Sequence, residues 1–150
     1  MAIPSVKTSI MVALGELFST IEELKTVERF RGKPIDLEVI PLPALYFYDD
    51  GEERKRNNQQ QNGIIDLISV VFFLLDEGEQ KPVQVFSDEA DLIQARVHSL
   101  LFGTDNLRNV GIISIQEGSI HKEYPSDIFG ILVMRHELEY THKFGNAFLI

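Results

Sequence analysis

From Ile10 onward the apolar residues recur at steps of three and four: Ile10, Leu14, Leu17, Phe18, Ile21 and Leu24, with Glu16, Glu22, Glu23 and Lys25 mostly between them. That spacing predicts an amphipathic helix of about four to six turns, capped by Ser5 or Thr8 and covering one face of a sheet. Residues 26–31 (Thr-Val-Glu-Arg-Phe-Arg) alternate instead, which predicts a short strand with one wet face, broken at Gly32-Lys33-Pro34. Pro34, Pro41 and Pro43 punctuate the connector that follows. Each removes an amide donor and restricts the residue before it.

Residues 43–77 carry the most unusual pattern. Ala44-Leu45-Tyr46-Phe47-Tyr48 is followed by residues 49–62, without one apolar side chain, and then by the almost wholly apolar stretch 64–75. This predicts a long two-stranded arm with a polar tip. The tip, DDGEERKRNNQQQNG, exceeds the 2–5 residues of an ordinary hairpin loop. Such extra length points to contact with other proteins. The second strand is apolar on both faces, with Ile65, Leu67, Val71, Phe73 and Leu75 on one and Ile64, Ile68, Val70, Phe72 and Leu74 on the other. It belongs either at the centre of a covered sheet or in a subunit interface.

Residues 76–81 read as a polar turn before Pro82, and residues 83–86 as a short apolar piece. Ser87 is the expected N-cap of a second helix, with Asp88, Glu89 and Asp91 in its first turn and Gly103 as its stop. Its buried stripe is Ala90, Ile93, Val97, Leu100 and Leu101. Val110, Ile112, Ile113 and Ile115 predict a strand, and 118–127 a loop. The final strand, about 128–142, puts Leu132, Met134, His136, Leu138 and Tyr140 on one side and Arg135, Glu137, Glu139 and Thr141 on the other. The connections between successive strands are too short for crossovers. The expected fold is therefore α+β: a mainly antiparallel β-sheet with two amphipathic helices packed on it and a long protruding β-hairpin, in one domain over residues 1–150.

Charge changes this picture. The net charge is −9, with 8 basic and 11 acidic residues in 1–75 and 6 and 12 in 76–150. Acid excess is spread along the chain, so tight binding to a phosphate backbone is disfavoured. The basic triplet Arg54-Lys55-Arg56 is flanked and cancelled by Asp49, Asp50, Glu52 and Glu53. The chain has no cysteine, which removes disulfides, thiolate nucleophiles and cysteine-based zinc sites together. The first residues lack a signal-peptide pattern, and the 12-residue apolar stretch at 64–75 contains Asp66 and is too short to span a bilayer. A soluble intracellular protein with no membrane partner is expected.

Candidate chemistry is sparse. His136 and His142, six residues apart on one strand, stand roughly 20 Å apart at about 3.3 Å per residue, too far to share a zinc ion. His98 and His121 lie on other elements with no carboxylate at ligand spacing. Glu137 and Glu139 share a face at about the separation of a glycosidase pair, but Arg135 shares it too and no aromatic sugar platform is near. The nucleotide-binding glycine motifs and the G-x-S-x-G elbow are missing from the sequence. No catalytic, cofactor or metal residue is expected. Phe148-Leu149-Ile150 form an apolar stretch that either packs on its own domain or reaches a neighbouring subunit.

The order of these elements resembles the tail terminator proteins of long-tailed bacteriophages and the neighbouring head–tail completion proteins. The residues that carry the resemblance are the first helix running into Thr26-Val27-Glu28-Arg29-Phe30, the strand Pro43-Ala44-Leu45-Tyr46-Phe47-Tyr48, and the polar tip before an apolar strand. The helix at 87–102 and the closing Arg135-His136-Glu137-Leu138-Glu139-Tyr140 with His142 complete it. The resemblance implies a structural virion protein, made in the host cytoplasm, that forms a ring, usually a hexamer. Such a ring caps the tail tube, ends its polymerisation and offers a joining surface to the head connector or neck, with the sheath protein as a further partner. DNA would pass through the lumen without tight binding. On this reading Asp50, Glu52, Glu53, Arg54, Lys55 and Arg56 form a docking tip, Arg135, Glu137 and Glu139 an interface or channel lining, and Phe148, Leu149 and Ile150 a subunit contact. Another neck or tail-tube protein, or a monomeric α+β enzyme with a site assembled from distant residues, remains open.

Overall fold

The computed structural model of the protein describes residues 5–57, 60–75, 83–103, 107–125 and 129–143, with side chains except at 51–62, 83–85 and 142–143. Helix α1 (Val6–Phe18) is followed by strands β1 (Thr26–Arg29), β2 (Ala44–Asn57) and β3 (Gln60–Leu74). Helix α2 (Val83–Phe102), a 3-10 turn at Arg108–Val110, and strands β4 (Ile112–Glu123) and β5 (Phe129–Lys143) complete the order. The five strands form one sheet in the order β1-β2-β3-β5-β4. Every pairing is antiparallel except β1 with β2, which is parallel. The expected α+β class is what is observed, and residues 30–43 supply the return that the parallel pair needs without a helix.

Helix α1 opens on Ser5, whose Oγ accepts the Thr8 amide at 3.1 Å. It ends at Phe18, shorter than its periodicity predicts, because two hydroxyls claim its last carbonyls. Ser19 Oγ donates to the Gly15 carbonyl at 2.7 Å and Thr20 Oγ1 to the Leu17 carbonyl at 2.6 Å. Such local bonds offer the backbone an alternative to another helical turn. Ile21 stays buried, so the apolar rhythm outlasts the helix.

Helix α2 begins four residues before Ser87, which is therefore no cap. Ser87 lies within the helix and its Oγ accepts from Lys122 Nζ of β4 at 2.8 Å. Phe86 extends the stripe of Ala90, Ile93, Val97 and Leu101 by one step of four, and all five are buried. Its ring meets Phe73 of β3 edge-on at 5.1 Å. The helix stops at Phe102, and Gly103 follows with its amide on the Ser99 carbonyl.

Strand β4 runs through Gly118, where a loop is predicted, because a register shift between Glu117 and Ile120 absorbs the irregularity. The polar residues 49–57 and 60–62 are also strand. The β2–β3 ladder shifts once between Asp49 and Glu52 and then continues to Asn57↔Gln60. On its other side β3 stays paired with β5 as far as Gln60↔Lys143. The protrusion is thus three-stranded, and its polar residues are held by backbone hydrogen bonds that composition does not reveal.

Both helices pack on the same face of the sheet. Leu45, Phe47, Ile65, Leu67, Val71, Phe73, Leu132, Met134, Leu138 and Tyr140 point into that core with the apolar faces of α1 and α2. Arg96 of α2 grips Glu23 beyond α1 at 3.0–3.1 Å, joining the two helical segments. The sheet's other face has no helix over it among the described residues.

Candidate functional site

The uncovered face is set by strand alternation. On β3 the odd positions from Ile65 to Phe73 are buried under the helices, which leaves Ile64, Asp66, Ile68, Val70, Phe72 and Leu74 on the open side. Ladder partners share a face. The registers therefore add Tyr46 opposite Val70 and Tyr48 opposite Ile68 from β2, and Ile131, Val133, Arg135, Glu137 and Glu139 from β5. β3 takes the central place in the sheet, one of the two positions expected for it. Among the described residues helices cover its odd face alone, because both lie on one side.

The open face divides along the strands. The half near Ala44 and Leu74 is apolar: Tyr46, Val70, Phe72, Ile131 and Val133 adjoin across three strands, and the Tyr46 and Phe72 rings meet at 6.0 Å. Leu74, at its end, is 46% exposed. The other half is charged. Arg135 Nη2 donates to Asp50 Oδ2 at 2.9 Å and to Asp66 Oδ2 at 3.0 Å, while Glu137 and Glu139 follow it along β5. The Arg135 bridges are partly exposed, so they set the geometry of this half more than its stability.

Two groups of residues that the sequence assigns separately are therefore brought together, since Asp50 of the expected docking tip is bonded to Arg135 of the expected charged strip. Sequence reasoning misses Asp66 as the second acid on Arg135, 69 positions away. The even-numbered apolar residues of β3 were the available signal for the apolar half. Glu52, Glu53, Arg54, Lys55 and Arg56 lie in β2, in register with Ile65, Ile64, Gly63, Asn62 and Gln61. Their side chains, and all of Phe148, Leu149 and Ile150, fall outside the described ones.

The helix-facing side holds a second polar cluster. His136 is 2% exposed among Leu67, Met134 and Leu138, and its Nδ1 has no hydrogen-bond partner. Burial pushes its pKa below the usual 6.5, the Glu117 carboxylate pulls it up, and His98 adds to the depression. His98 Nδ1 lies 3.7 Å from Glu117 Oε2, and its ring stacks obliquely on Phe102 at 4.5 Å. His121 contacts Glu123 at 3.0 Å on the far edge of the open face. Among the described residues no group of three or more His, Asp or Glu side chains is arranged to hold a metal ion, and no helix is long and apolar enough to cross a membrane.

Several clefts open on the surface of the described residues, one of about 410 Å³ beside Asp66, Glu117, Arg135 and Glu137. A second, of about 670 Å³, lies between Tyr46 and the 30–40 connector, lined by Glu28, Phe30, Arg31, Ile35 and Ile40. Another of about 390 Å³ lies beneath α2, where Leu42, Phe73, Leu74, Leu92 and Ile93 meet Glu23 and Glu89.

No family model matches the chain. No curated protein matches it either. Among solved structures it is similar to a chain from the virion of a native gene transfer agent (GTA) particle, at 8% identity over 91% of this chain and 92% of that chain, with a TM-score of 0.37. The functional reading therefore rests on the molecule's own surfaces.

Proposed function

We propose that this chain is a one-domain structural subunit of a phage-type virion, a tail-terminator-like protein that assembles into a ring, usually a hexamer. The ring caps the tail tube, ends its polymerisation and presents a joining surface to the head connector or neck. The observation that carries this reading is the sheet face with no helix over it among the described residues, with an apolar half on β2, β3 and β5 beside a charged half around Arg135. Full burial of a Val, Ile or Phe side chain contributes about 1.5–3 kcal/mol. Half-covered residues such as Val70, Phe72, Ile131 and Val133 retain a good part of that for a contact with another subunit. The charged half and the three-stranded arm leave polar surface for tube, connector and sheath proteins. Acidic residues such as Glu137 and Glu139, facing a lumen, would let DNA slide without sticking.

Light scattering at micromolar concentration tests the assembly. A mass near six times 17.1 kDa is expected for the protein, and a folded monomer for Val70→Lys or Val133→Lys that keeps a cooperative unfolding transition. A wild-type monomer would sink the ring and favour an enzyme built around one of the clefts. Loss of the protein during infection should yield overlong tails without heads, whereas tails of normal length would point to another neck component.

A further inference from the structure

We infer that Phe148-Leu149-Ile150 of one copy seat on the apolar half of the open sheet face of the next copy, which deepens the ring reading and rests on it. The argument is one of reach. Strand β5 ends at Lys143, paired with Gln60 at the far end of the arm. The acceptor lies at the other end of the same strand, where Val133 pairs with Val70 and Ile131 with Phe72. Ten residues separate Lys143 from Val133 and twelve separate it from Ile131, which is about 33 and 40 Å at roughly 3.3 Å per residue. Phe148 is five residues beyond Lys143 and Ile150 seven, so they reach at most about 18 and 25 Å at roughly 3.6 Å per extended residue. A copy's own apolar half is out of range of its own apolar triplet.

The chemistry of the two parts matches. Residues 145–150 (Gly-Asn-Ala-Phe-Leu-Ile) carry no charged side chain, in keeping with an apolar acceptor. The acceptor offers the half-covered Val70, Phe72, Ile131 and Val133 beside the buried Tyr46, whose phenol pKa is raised first by burial and then by Glu28, and it is edged by His121 and Glu123 of β4 opposite Val133 and Ile131. The donor leaves one end of a subunit and the acceptor lies at the other, so the contact is head-to-tail. Repeated contacts of that kind close into a ring or run on as a filament.

The absence of cysteine makes disulfide trapping a clean test. Leu149→Cys and Val133→Cys are made in separate copies, each checked for wild-type thermal unfolding, then mixed and oxidised. Val70→Cys serves as a second acceptor if Val133→Cys unfolds. A species of twice the 17.1 kDa chain mass, formed in the mixture and several-fold less when Phe148→Ser is added to the donor, is the expected result. Cross-linking of Val133→Cys copies to one another would overturn the inference in favour of face-to-face sheets. So would an intramolecular disulfide in a Leu149→Cys, Ile113→Cys chain, since Ile113 is 54% exposed near the arm and within cis reach. A ring-sized mass with no mixed disulfide refutes this contact alone, while a monomer in scattering refutes the ring reading itself.

Discussion

Substituting Gly63 tests how the arm is joined to the body. Gly63 of β3 lies opposite Tyr140 of β5, whose ring crosses over it; a Cβ at 63 would stand 2.6 Å from the phenolic oxygen and closer still to the ring's far edge. Tyr140 is 2% exposed and has no room to swing aside. Gly63→Ala should therefore overpack the site and cost about 1–3 kcal/mol. At about 2 kcal/mol the Tm falls by about 4–8 °C for a chain of this size. The sign is the diagnostic. A Gly→Ala change free of conflict stabilises by about 0.4–1 kcal/mol through the unfolded chain, so the reasoning predicts an effect opposite to the default. Thermal or urea unfolding at fixed protein concentration is the assay, because assembly would make Tm concentration-dependent. A double-mutant cycle completes it. In a Tyr140→Leu background, Gly63→Ala should become neutral or stabilising, giving a coupling of at least about 1 kcal/mol. An unchanged Tm in the parent, or an equal loss in both backgrounds, would refute the ring-over-glycine account.

Three further outcomes follow from charges and from the arm. The folded His136 resists protonation below the usual 6.5 while the unfolded chain does not, so its part of the stability is complete above about pH 6.5 and is lost as pH falls through the lower folded value. Unfolding free energies between pH 8 and 5 should fall less steeply for His136→Gln; equal slopes would show that burial of His136 does not matter. Burial raises the Asp49 carboxyl, but a hydrogen bond and charge from Lys7 at 2.6 Å, a backbone hydrogen bond and Arg29 at 3.6 Å outweigh it, leaving its pKa lowered. Asp49→Asn should therefore cost about 1 kcal/mol at pH 7, with the difference shrinking as pH falls below the ordinary carboxylate range; a constant difference would exclude the ion pair as its source. Replacing residues 56–61 by Asn-Gly, which leaves Lys55 and Asn62 flanking a two-residue turn, should preserve a cooperative unfolding transition and impair assembly. Collapse of the unfolding transition would show instead that the arm's end supports the core.

The helix stripes, the alternation of β5 and the helix-facing side of β3 were all legible in the sequence, because burial on one face imposes a period on the side chains. Three features were not legible for identifiable reasons. Residues 52–57 pair through their backbones between polar side chains, so composition reads them as loop although β3 holds them in register. Helix α2 starts four residues before Ser87, whose capping chemistry points to a later start, and Phe86, one step of four before Ala90, is the sequence signal for the earlier one. The open face is invisible to periodicity, since an apolar strand face looks the same whether a helix or another subunit covers it. The Arg135–Asp50 and Arg135–Asp66 bonds join residues 85 and 69 positions apart, a distance that local pattern does not bridge.

The strand order has a consequence for synthesis. Strand β5 lies between β3 and β4, so neither has that partner until residues 129–143 have left the ribosome. Until then the nascent chain carries β3 with one side unpaired, its apolar residues available to any other extended segment. The last of the five strands to be translated is therefore an interior one, and the sheet is closed by inserting β5 between β3 and β4.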